Sequence, residues 1–202
     1  MSRLTDIFSL YALACVMLPC LVYQLFFVIR RQNCGKKVPG AYLTWVGIFL
    51  LYLWMVFDVT GVGTIGDVLR NMPDIILGGV NLIPFDSFGI GFFLNIVMFM
   101  PFGFLLPLIW MECRDLKRTV AAGLSFSLFI ELTQLLNFRA TDVDDLMANT
   151  CGAWAGYLIW RGFAKLFGER LFSADDGKWE AARCILLAAA GEFFLYNPYF
   201  II

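Results

Sequence analysis

Apolar runs broken by short charged turns divide the chain into segments of membrane-spanning length. Residues 7–29 form the first, with Pro19 as a kink that neighbouring helices can absorb. Residues 41–60 form a second, with Tyr42, Trp45 and Trp54 near its ends as interfacial aromatics. Ile65, Val68, Leu69 and Met72 then recur at helical spacing, which predicts a short helix on the membrane surface. The stretch PDIILGGVNLIPFDSFG (73–89) is too broken by Gly and Pro to cross, and is expected to pack over the bundle as a loop or shallow re-entrant piece. Residues 91–110, carrying Asn95 and two prolines, give a third span and 119–138 a fourth. A fifth runs from near Leu146 to about Phe163, and 185–202 is a marginal sixth. The predicted class is an all-α polytopic bundle of about six spans, or five if the last lies on the interface. Residues 1–40 hold the first span and a cytoplasmic turn, 41–163 a transmembrane core, and 164–202 a polar segment with the last hydrophobic stretch.

Polar residues inside these runs fall on faces. Ser127, Glu131 and Gln134 share one face of the fourth span, with Phe138 continuing the stripe. Asp142, Asp145, Asn149, Gly152 and Gly156 follow helical spacing in the fifth. The turn between them is short enough to require an antiparallel hairpin, so the two polar faces meet. Thr141 with Asp144 has the spacing of a capping box, which places carboxylates at the positive end of the helix dipole. These features predict a polar pocket between the third, fourth and fifth spans. Asn95 either joins it or bonds a carbonyl freed by Pro101. Glu192, in the sixth span, is a further intramembrane acid.

Composition agrees with a membrane location. Hydrophobic residues make up 60% of the chain and charged residues 15%, and mean hydropathy is +0.77. A net charge of −1 gives no basis for nucleic-acid binding, and the absence of histidine leaves proton chemistry and metal ligation to carboxylates, amides, thiols, Tyr, Lys and Arg. The six cysteines contain no CxxC and read as reduced thiols. Only Arg3 precedes the first apolar run, and no small-residue cleavage site follows it, so the first span is expected to be retained. Placing segments 30–40, 111–118 and 161–184 in the cytoplasm collects twelve of the fifteen Lys and Arg there, leaving Arg3, Arg70 and Arg139 outside. The hairpin turn and its pocket then face the extracellular side.

A carboxylate such as Glu131 at membrane depth is a functional candidate. The plainer reading is that these groups lock two helices together, Gly152 and Gly156 forming a small-xxx-small patch, with Arg139, Gln134 and Asn149 as partners for Glu131. Three functional readings stand beside it. In recognition, Arg139 with Arg70 holds an anionic headgroup while Glu131, Gln134, Asp142, Asp145, Asn149 and Asn95 meet hydroxyls or amines. In metal chemistry, Glu131, Asp142, Asp144 and Asp145 supply oxygens to Mg²⁺ or Ca²⁺. In catalysis, a desolvated Glu131 acts as general base or acid; no nucleophile elbow, phosphate loop or HExxH supports a named reaction, and Ser127 reads as a packing hydroxyl.

NLIPF at 81–85, NIVMFMPFGFLLP at 95–107 and IELTQLLNFRATDVDDLMANTCGAWAGY at 130–157 together resemble the VanZ family of bacterial membrane proteins. The resemblance covers about 41–163 and includes Asn95, Pro101, Gly103, Glu131, Gln134, Arg139, Asp142, Asp145, Asn149 and Gly152. It implies a multi-pass bacterial membrane protein with an envelope role and its active face outside, in a family associated with low-level resistance to the lipoglycopeptide teicoplanin. Membrane lipids and a lipid-linked cell-wall precursor or lipoglycopeptide are the expected partners. A metal-assisted enzyme acting on a lipid or wall precursor and a small-molecule or lipid transporter are the alternatives.

Overall fold

The computed structural model describes residues 2–74, 79–168 and 179–200, with side chains from Ser9 onward. It is helical, with seven α-helices among the described residues: α1 (Ser2–Asn33), α2 (Gly40–Thr60), α3 (Ile65–Asn71), α4 (Ile90–Ile109), α5 (Leu116–Gln134), α6 (Val143–Phe167) and α7 (Glu180–Ala190). Three segments, Ser9–Asn33, Gly40–Asn71 and Ile90–Ile109, contain a helix long and apolar enough to cross a membrane. The second of these contains α2 and, after a break at Gly61, α3.

Helices α5 and α6 run beside α4 between the same two ends of the bundle. One end is basic. There Tyr157 Oη donates to the Arg114 carbonyl at 2.8 Å, Glu112 accepts from the Trp179 and Ala181 N–H groups, and Tyr23 Oη donates to Glu180. At the other end lie the acidic loops described below. The core between α2, α4 and α5 is aromatic: Phe102 stacks on Phe126 with centroids 5.1 Å apart, Phe49 meets Trp110 edge-on at 5.1 Å, and Phe57 meets Phe126 at 5.6 Å. Such contacts contribute about 0.5–1.5 kcal/mol each beyond burial.

The closest approach in the bundle is α4 against α6. A Cβ on Gly103 would sit 1.9 Å from the Ala153 carbonyl oxygen, one on Gly156 2.0 Å from that of Met100, and one on Gly152 2.3 Å from that of Ile96. The small-xxx-small patch of α6 is therefore real, but α4 is its partner where the hairpin reading made it α5. Gly123 of α5 makes a looser contact, its Cβ position lying 2.5 Å from that of Ala153.

Several boundaries differ from expectation. Helix α5 ends at Gln134, so Phe138 lies beyond it and is 79% exposed, not part of the buried stripe. Helix α6 begins at Val143 and its N-cap is Asp142, whose side chain accepts from the Asp144 N–H. Thr141 does not cap: its hydroxyl donates to the Glu131 carbonyl. The hydrophobic tail does not form one helix over 185–202. Helix α7 starts earlier and gives way at Gly191–Leu195 to a π-helical turn, followed by extended Tyr196. Gly191 is held against α1, where a Cβ would meet the Cys15 carbonyl at 2.2 Å, and Asn197 and Pro198 end the segment. Glu192 is buried in that turn.

The predicted surface helix is α3. It is pinned by its own cap, with the Thr64 N–H and hydroxyl both donating to Asp67 Oδ2, and by Tyr199 Oη donating to Asp67 Oδ1 at 2.9 Å. Part of the broken stretch after it, 75–78, lies outside the described residues. Its remainder loops over the bundle and makes two-residue β1 (Val80–Asn81), parallel to β2 (Thr141–Asp142), a small departure from an all-α fold. The described cysteines are all free, Cys34 and Cys151 being exposed.

Candidate functional site

Most of the candidate polar side chains gather at the acidic end, and each is engaged by a particular neighbour. Glu131 is 4% exposed, in the last turns of α5. Its Oε2 accepts from the Asp142 N–H at 3.0 Å, and its carbonyl accepts from Thr141 at 2.8 Å. One residue thus closes the hairpin from both sides. The partners expected for it act elsewhere. Asn149 donates to Ser127 Oγ at 2.9 Å, tying α6 to α5. Gln134 donates to the Thr60 carbonyl at 2.8 Å, tying α5 to α2.

Asn95 does join the cluster: its amide donates to Asp145 Oδ1 at 2.6 Å and links α4 to α6. Asp145 lies in the first turn of α6, outside the three apolar spans.

Asp142 and Asp144 hold the loop before α4. Asp144 Oδ1 accepts from the Phe85 N–H at 2.6 Å and Oδ2 from the Ser87 N–H at 2.9 Å. Asp142 Oδ2 accepts from the Ser87 hydroxyl at 2.5 Å and from the Asn81 amide at 3.2 Å. A hard cation needs several carboxylate or carbonyl oxygens converging on one point. Here the four carboxylates are directed to separate N–H and O–H donors, and among the described residues no three His, Cys, Asp or Glu side chains form a metal-binding group. The donor set does not fit Mg²⁺ or Ca²⁺.

Arg139 takes a different position. The C-terminal end of α2 leaves carbonyls without helical partners and carries the negative end of the dipole. Three side chains from the end of α5 and the turn beyond it meet those carbonyls: Gln134 on Thr60, Asn137 on Gly61 at 2.9 Å, and Arg139 Nη1 on Val59 at 3.3 Å. Gly61 is in the left-handed region at φ 60°, and a Cβ there would lie 2.6 Å from Arg139 Nε, so glycine serves both the turn and the arginine. Among the described residues no carboxylate pairs with Arg139. The guanidinium lines an open depression of about 330 Å³ with Thr64, Asp67, Asn137, Tyr196 and Pro198. This depression lies between α2, α3, the hairpin turn and the C-terminal segment, not between α4, α5 and α6 where the polar pocket was expected. Arg70, the other candidate cation, sits with its guanidinium 4.2 Å from the centre of the Tyr199 ring.

Thr64, Asp67, Tyr196 and Tyr199 escaped the sequence reading. The Thr64–Asp67 spacing was the available signal, a capping box at the start of α3. Nothing local connects it to residues 130 positions onward.

No curated protein and no solved structure matches the chain. The model of the VanZ/LLP1 family matches residues 43–168, a range that runs from the first turn of α2 to the end of α6, with the Glu131 hairpin and Arg139. With that match covering more than half of its length, and with three helices apolar enough to cross a bilayer, the chain is a membrane protein of the VanZ/LLP1 family.

Proposed function

We propose that this protein works at the outer leaflet of a bacterial membrane. There Arg139 recognises the anionic group of a lipid-linked cell-envelope component, and the cell binds lipoglycopeptides such as teicoplanin less well. The observation that carries this reading is the Arg139 guanidinium, which forms no ion pair with a described carboxylate, at the wall of an open depression that Asp67, itself bonded by Thr64 and Tyr199, also lines. A planar guanidinium suits bidentate recognition of phosphate or carboxylate. Arg70, one turn beyond Asp67 on α3 and stacked over the Tyr199 ring outside the depression, is a second positive charge on the same side of the bundle. Glu131, Gln134, Asn149, Asp142, Asp145 and Asn95 hold the hairpin and α2 in the arrangement that presents Arg139. In this reading α1, α2, α4, α5 and α6 cross the membrane, with the shorter α7 and its π turn packed beside them, and the concentration of Lys and Arg at the opposite end supports an outward-facing depression. A transport path finds less support: beyond the Ser127–Asn149 bond the interior of the bundle continues with Phe102, Gly123 and Ala153.

Native mass spectrometry of protein extracted from its own membrane, paired with teicoplanin susceptibility of the producing cells, tests the assignment. Arg139→Ala is expected to lose the retained anionic lipid, since removing a charged hydrogen-bond partner costs about 1.5–3 kcal/mol, roughly 10- to 100-fold in affinity. Susceptibility should rise with it. Arg139→Ala protein inserted at the wild-type level, with lipid content and susceptibility unchanged, would end this reading.

A further inference from the structure

The loop between β1 and α4 exposes apolar side chains, of which Phe88 rests one edge on Phe92 and Phe93 of α4, with ring centroids 5.0 and 5.5 Å away. Leu82, Ile83, Phe85 and Phe88 are between 55% and 71% exposed, and Ile90 at the start of α4 is 80% exposed. The backbone beneath them is tied to protein. Phe85 and Ser87 donate their N–H groups to the two oxygens of Asp144, Ile83 donates to Asn81 Oδ1 at 3.1 Å, and Asp86 to the Ile83 carbonyl at 3.4 Å. Just before them, β1 pairs with β2. Phe85 has φ 65°, a left-handed conformation that a phenylalanine keeps only when its surroundings hold it there. The 2.6 Å bond from its N–H to Asp144 is such a hold.

Irregular backbone is tolerated at membrane depth only where protein satisfies its polar groups. In this loop the N–H groups of Ile83, Phe85, Asp86 and Ser87 are satisfied by protein, while Leu82, Ile83, Phe85 and Phe88 stay more than half exposed. The apolar surface continues into Phe93, Leu94 and Val97, all at least 55% exposed on a helix long and apolar enough to cross the bilayer. Fully removing one such side chain from water contributes about 1.5–3 kcal/mol, so a row of them continuous with a lipid-facing helix selects lipid as its cover.

We infer that residues 79–89 form a finger seated among the lipids at the acidic end of the bundle, with acyl chains covering Leu82, Ile83 and Phe88, and Asp144 fixing its shape. Exposed Asp86, bonded by the Asn81 amide at 3.4 Å, keeps the finger at headgroup level. The inference is independent of what Arg139 binds.

The test is electron paramagnetic resonance on the full chain in phosphatidylcholine and phosphatidylglycerol vesicles. A spin label is placed at Ile83→Cys or Phe88→Cys, with exposed Cys34 and Cys151 replaced by serine, and its collisions with oxygen and with a water-soluble nickel chelate are compared. The expected result is a label about 5–10 Å below the headgroups, reached by oxygen and not by nickel. With Asp144→Ala added, the label should move towards water and tumble faster. Should that variant fail to insert, Asp144→Asn, which keeps one acceptor oxygen, is read the same way. A label as open to nickel as one on Cys34, read in a separate protein that keeps Cys34 and carries only the Cys151→Ser change, overturns the finger. So does a label shielded from both reagents, which would mean that another protein surface covers it. An unmoved label in the Asp144 variants overturns the role given to that carboxylate.

Discussion

Gly156→Ala is expected to destabilise the protein by at least about 3 kcal/mol, at the upper end of overpacking costs. The added methyl would sit 2.0 Å from the Met100 carbonyl oxygen and 2.9 Å from the Phe104 nitrogen, both backbone atoms of α4 with no rotamer to give way. Helix α4 cannot retreat without also separating Gly103 from Ala153 and Gly152 from Ile96, because the three contacts lie along one seam. In lipid, where apolar burial gives helices little reason to associate, such close backbone approach is a principal source of their attraction. Gly162→Ala is the matched control. It lies on the same helix with nothing within 4 Å of the new carbon, so the higher helix propensity of alanine should leave stability unchanged or raised by up to about 1 kcal/mol. Thermal unfolding in detergent, followed by loss of the monodisperse species, separates the two. Equal melting temperatures for the two variants would mean that α4 and α6 are not joined along these glycines.

The same seam shows what sequence alone can and cannot specify. Helical spacing placed Gly152 and Gly156 on one face, and both do form a packing surface. Spacing carries no information about which helix that surface meets, and the sequential neighbour α5 was the natural choice over α4. The acidic hairpin was legible for a similar reason: Ser127, Glu131 and Gln134, at 6% exposure or less, share the buried face that their periodicity implied. Their partners were not. Glu131 bonds a backbone N–H in place of Arg139, and Asp144 bonds a loop more than fifty residues earlier in the chain. Hydropathy located the tail as apolar but read it as one helix. The contact between Gly191 and Cys15, which joins opposite ends of the chain, has no local signal.

For Glu131 the expected outcome is a division between two substitutions. Glutamine is close to glutamate in size and keeps a side-chain oxygen able to accept the Asp142 N–H, so Glu131→Gln is expected to stay within about 1 kcal/mol of wild type, the value of a typical neutral hydrogen bond. Alanine removes that acceptor and leaves the Asp142 N–H, at the start of α6, without its partner. An orphaned buried donor costs about 1–3 kcal/mol, and each lost buried methylene roughly 0.8 kcal/mol more. Glu131→Ala should therefore lose about 2–4 kcal/mol by these two costs together. Because the Glu131 side chain and carbonyl jointly close the turn that carries Arg139, the proposed recognition of an anionic lipid by Arg139 predicts that the alanine variant also loses that lipid. Glu131→Gln, with the turn intact, should retain it. Melting temperature and native mass spectrometry on the same preparations read both effects. A glutamine variant that melts like wild type yet loses a lipid that wild type retains would mean that the carboxylate itself, by its charge or its proton, takes part at the site. Loss of both stability and lipid in alanine alone would place Glu131 behind Arg139 as the residue that positions it.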